Sequence, residues 1–237
     1  QGWLTLLAEQ GALVEAWLEG GDQLSSPSVQ GTIHPGGRVE VLSTHEQILG
    51  GANGQTYQGC RFPADQAYRL ALMRHGQAVG EALTAEGALE RYAVDFIARL
   101  IDGQWDLQAI EVNLRQGGTT HSYMALRAIT TGQLNPESGE FLSPTGQALH
   151  YMATDNLTHP NLRGLLPADL IDIVAEADLH YDPARLRGSV FHLLGCLSEY
   201  GKLGMTCVGR SAEEAEQVYA ATAGQLIQQA TSVQGGA

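Results

Sequence analysis

Three polar side chains in the middle of the chain have the types and spacing that a metal site needs. Glu111 and Asn113 are two residues apart, and Asp95 precedes them. Because side chains alternate between the faces of a strand, Glu111, Asn113 and Arg115 would share one face. Two carboxylates and an amide oxygen are hard ligands, and Mg2+ takes one or two carboxylates together with phosphate oxygens and water. The alternative is the solvated face of an amphipathic hairpin.

A predicted β-hairpin positions these side chains. The β-prone runs 91–100 and 105–114 flank Ile101-Asp102-Gly103-Gln104, where Asp-Gly is a strong signal for a tight turn. The second run alternates apolar residues with Glu111 and Asn113. The hairpin therefore presents a carboxylate from each strand toward one pocket.

The remaining patterns predict an α+β protein. Upstream they predict a buried strand over 12–19, a hairpin of 28–34 with 38–42, a glycine-rich loop over 50–64 and an amphipathic helix over 65–84. Downstream they predict a helix over 122–131, a polar loop over 136–146, a helix from Pro167, strands over 190–194 and 203–208, and a helix capped at Ser211. Residues 147–237 are expected to form a distinct lobe.

Composition excludes several classes of function. The 237 residues include 13 Lys plus Arg and 26 Asp plus Glu, which gives a net charge of −13 and argues against nucleic-acid binding. Lys202 is the one lysine, so no polybasic segment exists for an anionic membrane. No apolar run is long enough for a membrane span. Three cysteines without a C-x-x-C pair predict neither a disulfide framework nor a zinc site, and favour a reducing, cytoplasmic location.

Residues 109–121, Ala-Ile-Glu-Val-Asn-Leu-Arg-Gln-Gly-Gly-Thr-Thr-His, resemble the last catalytic strand of the ATP-grasp superfamily. In addition, Tyr92-Ala-Val-Asp-Phe96 is similar to the partner strand of D-alanine:D-alanine ligase and its relatives. The resemblance implies that Asp95, Glu111 and Asn113 ligate Mg2+ beside ATP.

A second match lies upstream, where Leu13-Val-Glu-Ala-Trp-Leu-Glu-Gly-Gly-Asp22 resembles the segment that joins two ATP-grasp subdomains. The family pattern would bring Glu15 and the main chain of Ala16, Trp17 and Leu18 to adenine, and Asp22 to the ribose hydroxyls. Taken without the downstream match, Glu15 is an ordinary strand-end acid and Trp17 a core aromatic residue.

The resemblance narrows to the ATP-grasp peptide ligases of pheganomycin-type biosynthesis. It is carried by Ser25-Ser-Pro-Ser-Val-Gln30, Gly59-Cys-Arg-Phe-Pro-Ala64, Gly117-Gly-Thr-Thr-His121, Phe191-His-Leu-Leu-Gly195 and Gly201-Lys-Leu-Gly204. It implies an ATP-grasp C-terminal subdomain over 1–146, with an antiparallel sheet backed by helices, and a small α/β extension over 147–237. The implied activity is ATP- and Mg2+-dependent ligation of a small-molecule or peptide carboxylate to an amine through an acyl phosphate.

Charge indicates what the neighbouring residues would do in such a ligase. Arg115 is the best local cation for a carboxylate or phosphate, because a guanidinium donates two parallel hydrogen bonds. Gly118 lets backbone N–H groups approach an anion, and Thr119 adds a donor, although the same residues suit a plain turn and helix cap. His121 is a candidate general base or an ordinary hydrogen-bonded histidine, and His192 is expected to be a core or interface residue.

One family feature does not precede Gln1. ATP-grasp enzymes hold the α- and β-phosphates with lysines and a glycine-rich loop from the N-terminal part of the fold, so the chain is expected to be a fragment that needs this missing N-terminal segment. The rival hypothesis is a noncatalytic partner or regulatory module that kept the fold. A magnesium-dependent phosphate hydrolase is a third.

Overall fold

A computed structural model of the protein describes residues 2–11, 16, 18, 24–52 and 54–234. The helices are α1 (Gly2–Gln10), α2 (Arg69–Ala85), α3 (Thr120–Thr130), α4 (Pro167–Glu176), α5 (Leu197–Tyr200) and α6 (Ala212–Gln234). The strands are β1 (Leu24–Ser25), β2 (Pro27–Ile33), β3 (Val39–Gly50), β4 (Thr56–Phe62), β5 (Glu90–Ile101), β6 (Gln104–Asn113), β7 (Gln133–Leu134), β8 (Phe141–Leu142), β9 (Ala148–Thr158), β10 (Gly188–His192) and β11 (Lys202–Gly209). The α+β prediction is confirmed.

One antiparallel sheet runs through the molecule in the order β1-β5-β2-β3-β4-β9-β11-β10, with β6 on β5 and the β7–β8 pair beside β9. Strand β9, the first strand of the 147–237 segment, pairs with β4 on one side and β11 on the other. The sheet is therefore continuous across residue 147, and the division into two domains stays a prediction.

Both predicted hairpins are confirmed. The β5–β6 turn has positive φ at Asp102 (51°) and Gly103 (78°), the backbone that a two-residue hairpin loop of the Asp-Gly kind requires. The predicted helices are also present as α2, α3, α4 and α6, and at the start of α6 the Glu214 backbone N–H donates to Ser211 Oγ at 3.1 Å.

The predicted loop over 50–64 is wrong, because residues 56–62 form β4. Gly59 in this segment permits close packing between backbones: a Cβ atom there would lie 2.1 Å from the carbonyl oxygen of Ala153 on β9. Two other predictions need small corrections. The two-residue strand β8 falls inside the predicted loop 136–146, and β10 ends at His192, after which residues 194–196 form a 3-10 turn. The strand predicted over 12–19 lies outside the described residues apart from positions 16 and 18.

The two faces of the sheet carry different cores. Val94 and Phe96 of β5 are buried in a cluster with Leu72 of α2, and alternation along the strand turns Asp95 to the opposite face. On that opposite face, α3 packs through Tyr123 and Leu126 against β4 and β9. The polar side chains of the hairpin therefore lie on the α3 side of the sheet.

Candidate active site

The two hairpin carboxylates lie directly across from each other. Asp95 of β5 pairs in register with Glu111 of β6, and Ala93 pairs with Asn113. The register shifts immediately after Asp95, where Phe96 pairs with Ala109 and Ile110 is the extra residue of a β-bulge. Bulges re-aim side chains and often accompany functional sites. Here the bulge keeps Asp95, Glu111 and Asn113 on one face.

The Asp95 carboxylate is held by two amides. Gln47 Nε2 donates to Asp95 Oδ1 at 2.7 Å, and Asn113 Nδ2 donates to Oδ2 at 3.2 Å. Burial raises the pKa of Asp95, and the nearby Glu111 carboxylate raises it further, while the Gln47 hydrogen bond and Arg115 lower it. Within the described part of the chain, neither carboxylate forms an ion pair.

This donor set fits a hard divalent cation. Two facing carboxylates without a cationic partner repel each other, and a bound metal ion would remove that repulsion. The described residues contain no group of three or more His, Cys, Asp or Glu side chains that could hold a metal. A cation held by Asp95, Glu111 and the Asn113 amide oxygen would thus leave positions for phosphate oxygens and water, as is common for Mg2+.

A cavity of about 180 Å³ opens beside the carboxylates. The residues around it come from five strands and from the segment before α3: Ser28, Gln30, Gln47, Tyr57, Ala93, Asp95, Glu111, Asn113, Arg115, Gly117, Gly118 and Thr119. The structure therefore brings the predicted metal ligands together with the predicted anion-binding residues Arg115, Gly118 and Thr119.

The anion-binding residues differ in how they are held. Arg115 is exposed and its guanidinium Nη1 donates to the Gln116 carbonyl at 3.2 Å. The backbone N–H of Gly117 donates to Thr120 Oγ1 at 3.0 Å. At Gly118, a Cβ atom would lie 3.0 Å from the Tyr57 ring. Thr119 is buried at the start of α3 and its side chain makes no capping hydrogen bond.

His121 lies just beyond the cavity and pairs with another histidine. Its Nε2 atom is 2.6 Å from His192 Nε2. His192 was expected to be a core or interface residue; it is half-buried beside His121, so the core alternative is wrong and the interface alternative stays a prediction. Its neighbour Phe191 packs against the core that contains α4 and α6, so alternation along β10 turns His192 to the other face.

The predicted nucleotide segment is mostly outside the described residues. Glu15, Trp17 and Asp22 are not described. Ala16 is exposed and Leu18 is half-buried. The predicted ATP contacts of these five residues therefore stay predictions.

Several solved structures are similar to this chain in fold, and two of those described here were solved as nucleotide complexes. N5-carboxyaminoimidazole ribonucleotide synthetase from Thermus thermophilus has a TM-score of 0.54 and 17% identity, and the match covers 92% of this chain and 55% of that one. The biotin carboxylase from Campylobacter jejuni, solved as a β,γ-ATP complex, has a TM-score of 0.55 and 12% identity over 89% of this chain and 47% of that one. A related synthetase solved as an ADP complex has a TM-score of 0.50 and 16% identity, over 88% and 50% of the two chains.

Sequence similarity agrees with the fold. The chain is 33% identical over 210 residues to the L-propargylglycine–L-glutamate ligase of Streptantibioticus cattleyicolor, and the match covers 89% of this chain and 42% of the relative. In sequence and fold the chain is therefore similar to ATP-grasp enzymes. Residues 169–222 of the chain also match the family model described as the PGM1 C-terminal domain. Among the described residues, no helix has the length and apolar character needed to cross a membrane.

Sequence reasoning missed several residues around the candidate cavity. Gln47 holds Asp95 from β3, and Tyr57 covers Gly118 from β4. Neither residue lies in the β5–β6 hairpin, and Tyr57 falls in the segment 50–64 that was predicted to be a loop. The signal that was available for Gln47 is its place in a β-prone run beside His45, but only the strand order brings β3 next to the hairpin through β2.

Proposed function

We propose that the protein is an ATP- and Mg2+-dependent ligase that joins a carboxylate to an amine, forming an amide of the peptide type. The observation that carries the proposal is the pair of facing carboxylates, Asp95 and Glu111, which form no ion pair among the described residues and lie in a cavity shared with Arg115. The similarity to a curated amino-acid ligase supports it. Because the chain spans 42% of that relative, the activity is proposed for the whole protein.

In the proposed reaction the substrate carboxylate takes the γ-phosphoryl group of ATP and becomes an acyl phosphate, which the amine then attacks. Mg2+ bound by Asp95, Glu111 and Asn113 would offset the charge of the phosphate oxygens. Arg115 would bind the substrate carboxylate or the transferring phosphate, since it is the cation that lines the cavity. The backbone at Gly118 and the hydroxyl of Thr119 would donate to the oxygens that gain charge.

The nucleotide is proposed to lie along Glu15 and the main chain of Ala16, Trp17 and Leu18, with Asp22 at the ribose. The chain contains a single lysine, Lys202, and it lies on β11 and does not line the cavity. We therefore propose that lysines of the N-terminal ATP-grasp segment contact the α- and β-phosphates. Residues 1–146 would form the ATP-grasp C-terminal subdomain and 147–237 its extension, in a cytoplasmic enzyme.

The test uses the full-length protein with ATP, Mg2+ and a panel of amino acids supplied as acid and amine. Phosphate release and the mass of the amide product are measured. We expect product with the unaltered enzyme, and a loss of about 100-fold or more with Glu111→Gln, which keeps the shape of the side chain and removes its charge.

Asp106→Asn is the matched control. Asp106 is on the same strand but pairs with Arg99 and does not line the cavity. Its variant is expected to keep full turnover. Amide formation unaffected by Glu111→Gln would contradict the metal assignment. Phosphate release without amide would favour a hydrolase, and no ATP turnover in the full-length protein would favour the noncatalytic module.

A further inference from the structure

Two imidazole rings from distant parts of the chain meet at the edge of the candidate site. His121 is on the first turn of α3 and His192 ends β10. Their Nε2 atoms are 2.6 Å apart, with ring centroids 4.0 Å apart and ring planes at 64°. At that distance one Nε2 carries a hydrogen and the other accepts it. When His121 Nε2 donates, its Nδ1 atom is left as a basic acceptor, and no hydrogen bond to this Nδ1 is found among the described residues.

The backbone around His192 is built to accommodate the ring. Gly204 is its partner in register on β11, and a Cβ atom there would lie 2.1 Å from His192 Nε2. The next residue, Leu193, has a positive φ of 56°, which non-glycine residues seldom adopt. Such unfavourable conformations concentrate at functional sites. His192 and Leu193 belong to the sequence motif 191–195 and Gly204 to the motif 201–204. Neither motif contributes a residue to the proposed metal site.

His121 follows the cavity-lining residues closely along the chain. Gly118 and Thr119 line the cavity and precede His121 at the start of α3. Burial raises the pKa of Tyr57, which packs on Gly118, and the carboxylate of Asp155 on β9 raises it further. The same carboxylate also acts on His121, where it opposes the lowering of the pKa by burial. His121 comes from the segment that holds the metal ligands and His192 from the 147–237 segment.

The surroundings keep both rings uncharged near neutral pH. Burial lowers the pKa of His121, and Asp155 only partly opposes it. Burial, together with the neighbouring His121, lowers the pKa of His192 to about 4. The charged and titratable groups that act on the pair are Asp155 from β9 and the two rings themselves, with the Tyr57 hydroxyl nearby on β4. An uncharged imidazole is the form that accepts a proton.

We propose that His121 accepts the proton of the incoming ammonium group, and that His192 is a positioning residue that fixes the tautomer and orientation of His121. This inference rests on the proposed function. The ammonium group gives one proton to His121 Nδ1, and the nitrogen lone pair then forms the C–N bond to the acyl carbon. The C–O bond to phosphate breaks and its electron pair leaves with the phosphate. Of the two protons left on nitrogen, one goes to that phosphate and the other stays as the amide N–H. The 147–237 segment thereby contributes to the amine side of the reaction.

The test compares two nucleophiles in the full-length enzyme: an amino acid, whose amine is protonated at neutral pH, and hydroxylamine, which is largely unprotonated there. Acyl hydroxamate is measured by colour with ferric ion and the amide by mass. We expect His121→Ala to lower kcat for the amino acid about 100-fold or more and to leave hydroxamate formation nearly unchanged. No hydroxamate with the unaltered enzyme would contradict the acyl phosphate of the proposed function and not the role of His121.

His192 is tested by its effect on the pH profile. We expect kcat/KM for the amine to fall at acidic pH in the unaltered enzyme as His121 becomes protonated. His192→Ala and Gly204→Ala should move this limb and lower kcat, and His192→Gln, whose amide oxygen can accept the His121 N–H, should restore part of the loss. Thermal unfolding of each variant checks that it folds.

Two results would overturn the inference. One is an unchanged rate and pH profile with the amino acid in folded His121→Ala. The other is an equal loss for amino acid and hydroxylamine, which would identify the pair as a structural contact between α3 and β10.

Discussion

Acidic side chains have opposite electrostatic surroundings at two places in the molecule, the start of α6 and the β5–β6 hairpin. Near the start of α6, Glu214 accepts from the Arg210 guanidinium at 3.0 Å and from the Arg210 backbone N–H at 2.7 Å, and Arg187 is 3.6 Å away. These partners, Arg210 first, lower the pKa of Glu214. At the hairpin, Asp95 faces Glu111 without an ion pair among the described residues, and its pKa is raised.

The contrast matters because the chain carries 26 acidic against 13 basic residues. Arginines accompany the acids that hold the fold together, as Arg185 also does for Asp178 and Asp182. In the cavity Asp95 faces a second carboxylate, with Arg115 as a more distant cation. The pKa shift therefore has opposite directions at the ion-paired Glu214 and at Asp95.

The largest expected effect is on catalytic activity, which should be lost by a change at the hairpin and kept after a change at the start of α6. In the full-length enzyme, Asp95→Asn should lower amide formation about 100-fold or more, because it removes a charge from the proposed metal site. Glu214→Gln should leave turnover within about threefold, since surface changes away from a site have small effects. Steady-state kinetics at saturating ATP and Mg2+ measures both. Equal losses in the two variants would remove the distinction between them.

Acid should destabilise the protein at buried His45 of β3 and at Glu214 of α6 in different pH ranges. His45 is fully buried on the α3 face and donates to or accepts from Tyr151 Oη at 2.7 Å. Burial lowers its pKa to about 3. Because the folded pKa is below the unfolded one, its contribution to stability is present above about pH 6.5 and is lost as the pH falls toward the folded value, by up to about 1.4 kcal/mol per pH unit.

Glu214 also has a lowered pKa, so its contribution is present above the usual glutamate pKa and is lost only below it. Denaturant unfolding at pH 7, 6, 5 and 4 is expected to show a first loss that His45→Gln flattens and a later one that Glu214→Gln flattens. A single loss that neither variant changes would contradict this assignment.

The smallest expected effect is on stability at neutral pH without added metal. Glu214→Gln should destabilise the protein by about 1 kcal/mol, because it weakens a charge-assisted bond to the Arg210 backbone. Asp95→Asn should leave stability unchanged or raise it: with a raised pKa, the Asp95 carboxylate contributes stability at low pH that is lost as the pH rises, and the variant removes that charge. Urea unfolding with a chelator measures both, and a clear destabilisation by Asp95→Asn would be contrary to the expectation.

The hairpin was predictable because its signals are local. Asp102-Gly103 specifies the turn, and alternation from Ala109 to Arg115 specifies the polar face. What was missed depends on contacts between distant segments. Gly59 was read as part of a loop because the Ala153 carbonyl that it accommodates is far away in sequence.

The histidine pair illustrates the same limit. His192 in an apolar run has no local sign that its face differs from that of Phe191, and His121 is 71 residues away. The β-bulge at Ile110 is another such feature, since a bulge leaves no residue pattern that a count of alternating positions detects. The chemistry of single residues could be predicted, whereas their partners required the strand order.

The central place of β9 has a consequence for how this protein can be divided. Cutting the chain before residue 147 would remove the strand that pairs with Gly59, Cys60, Arg61 and Phe62 of β4. The exposed β4 edge, with its unpaired N–H and C=O groups beside buried aromatic side chains, would be a template for association with other chains. A shortened form is expected to aggregate on expression. By covering the β4 edge, the C-terminal segment would keep the sheet that carries the β5–β6 hairpin from pairing with other chains.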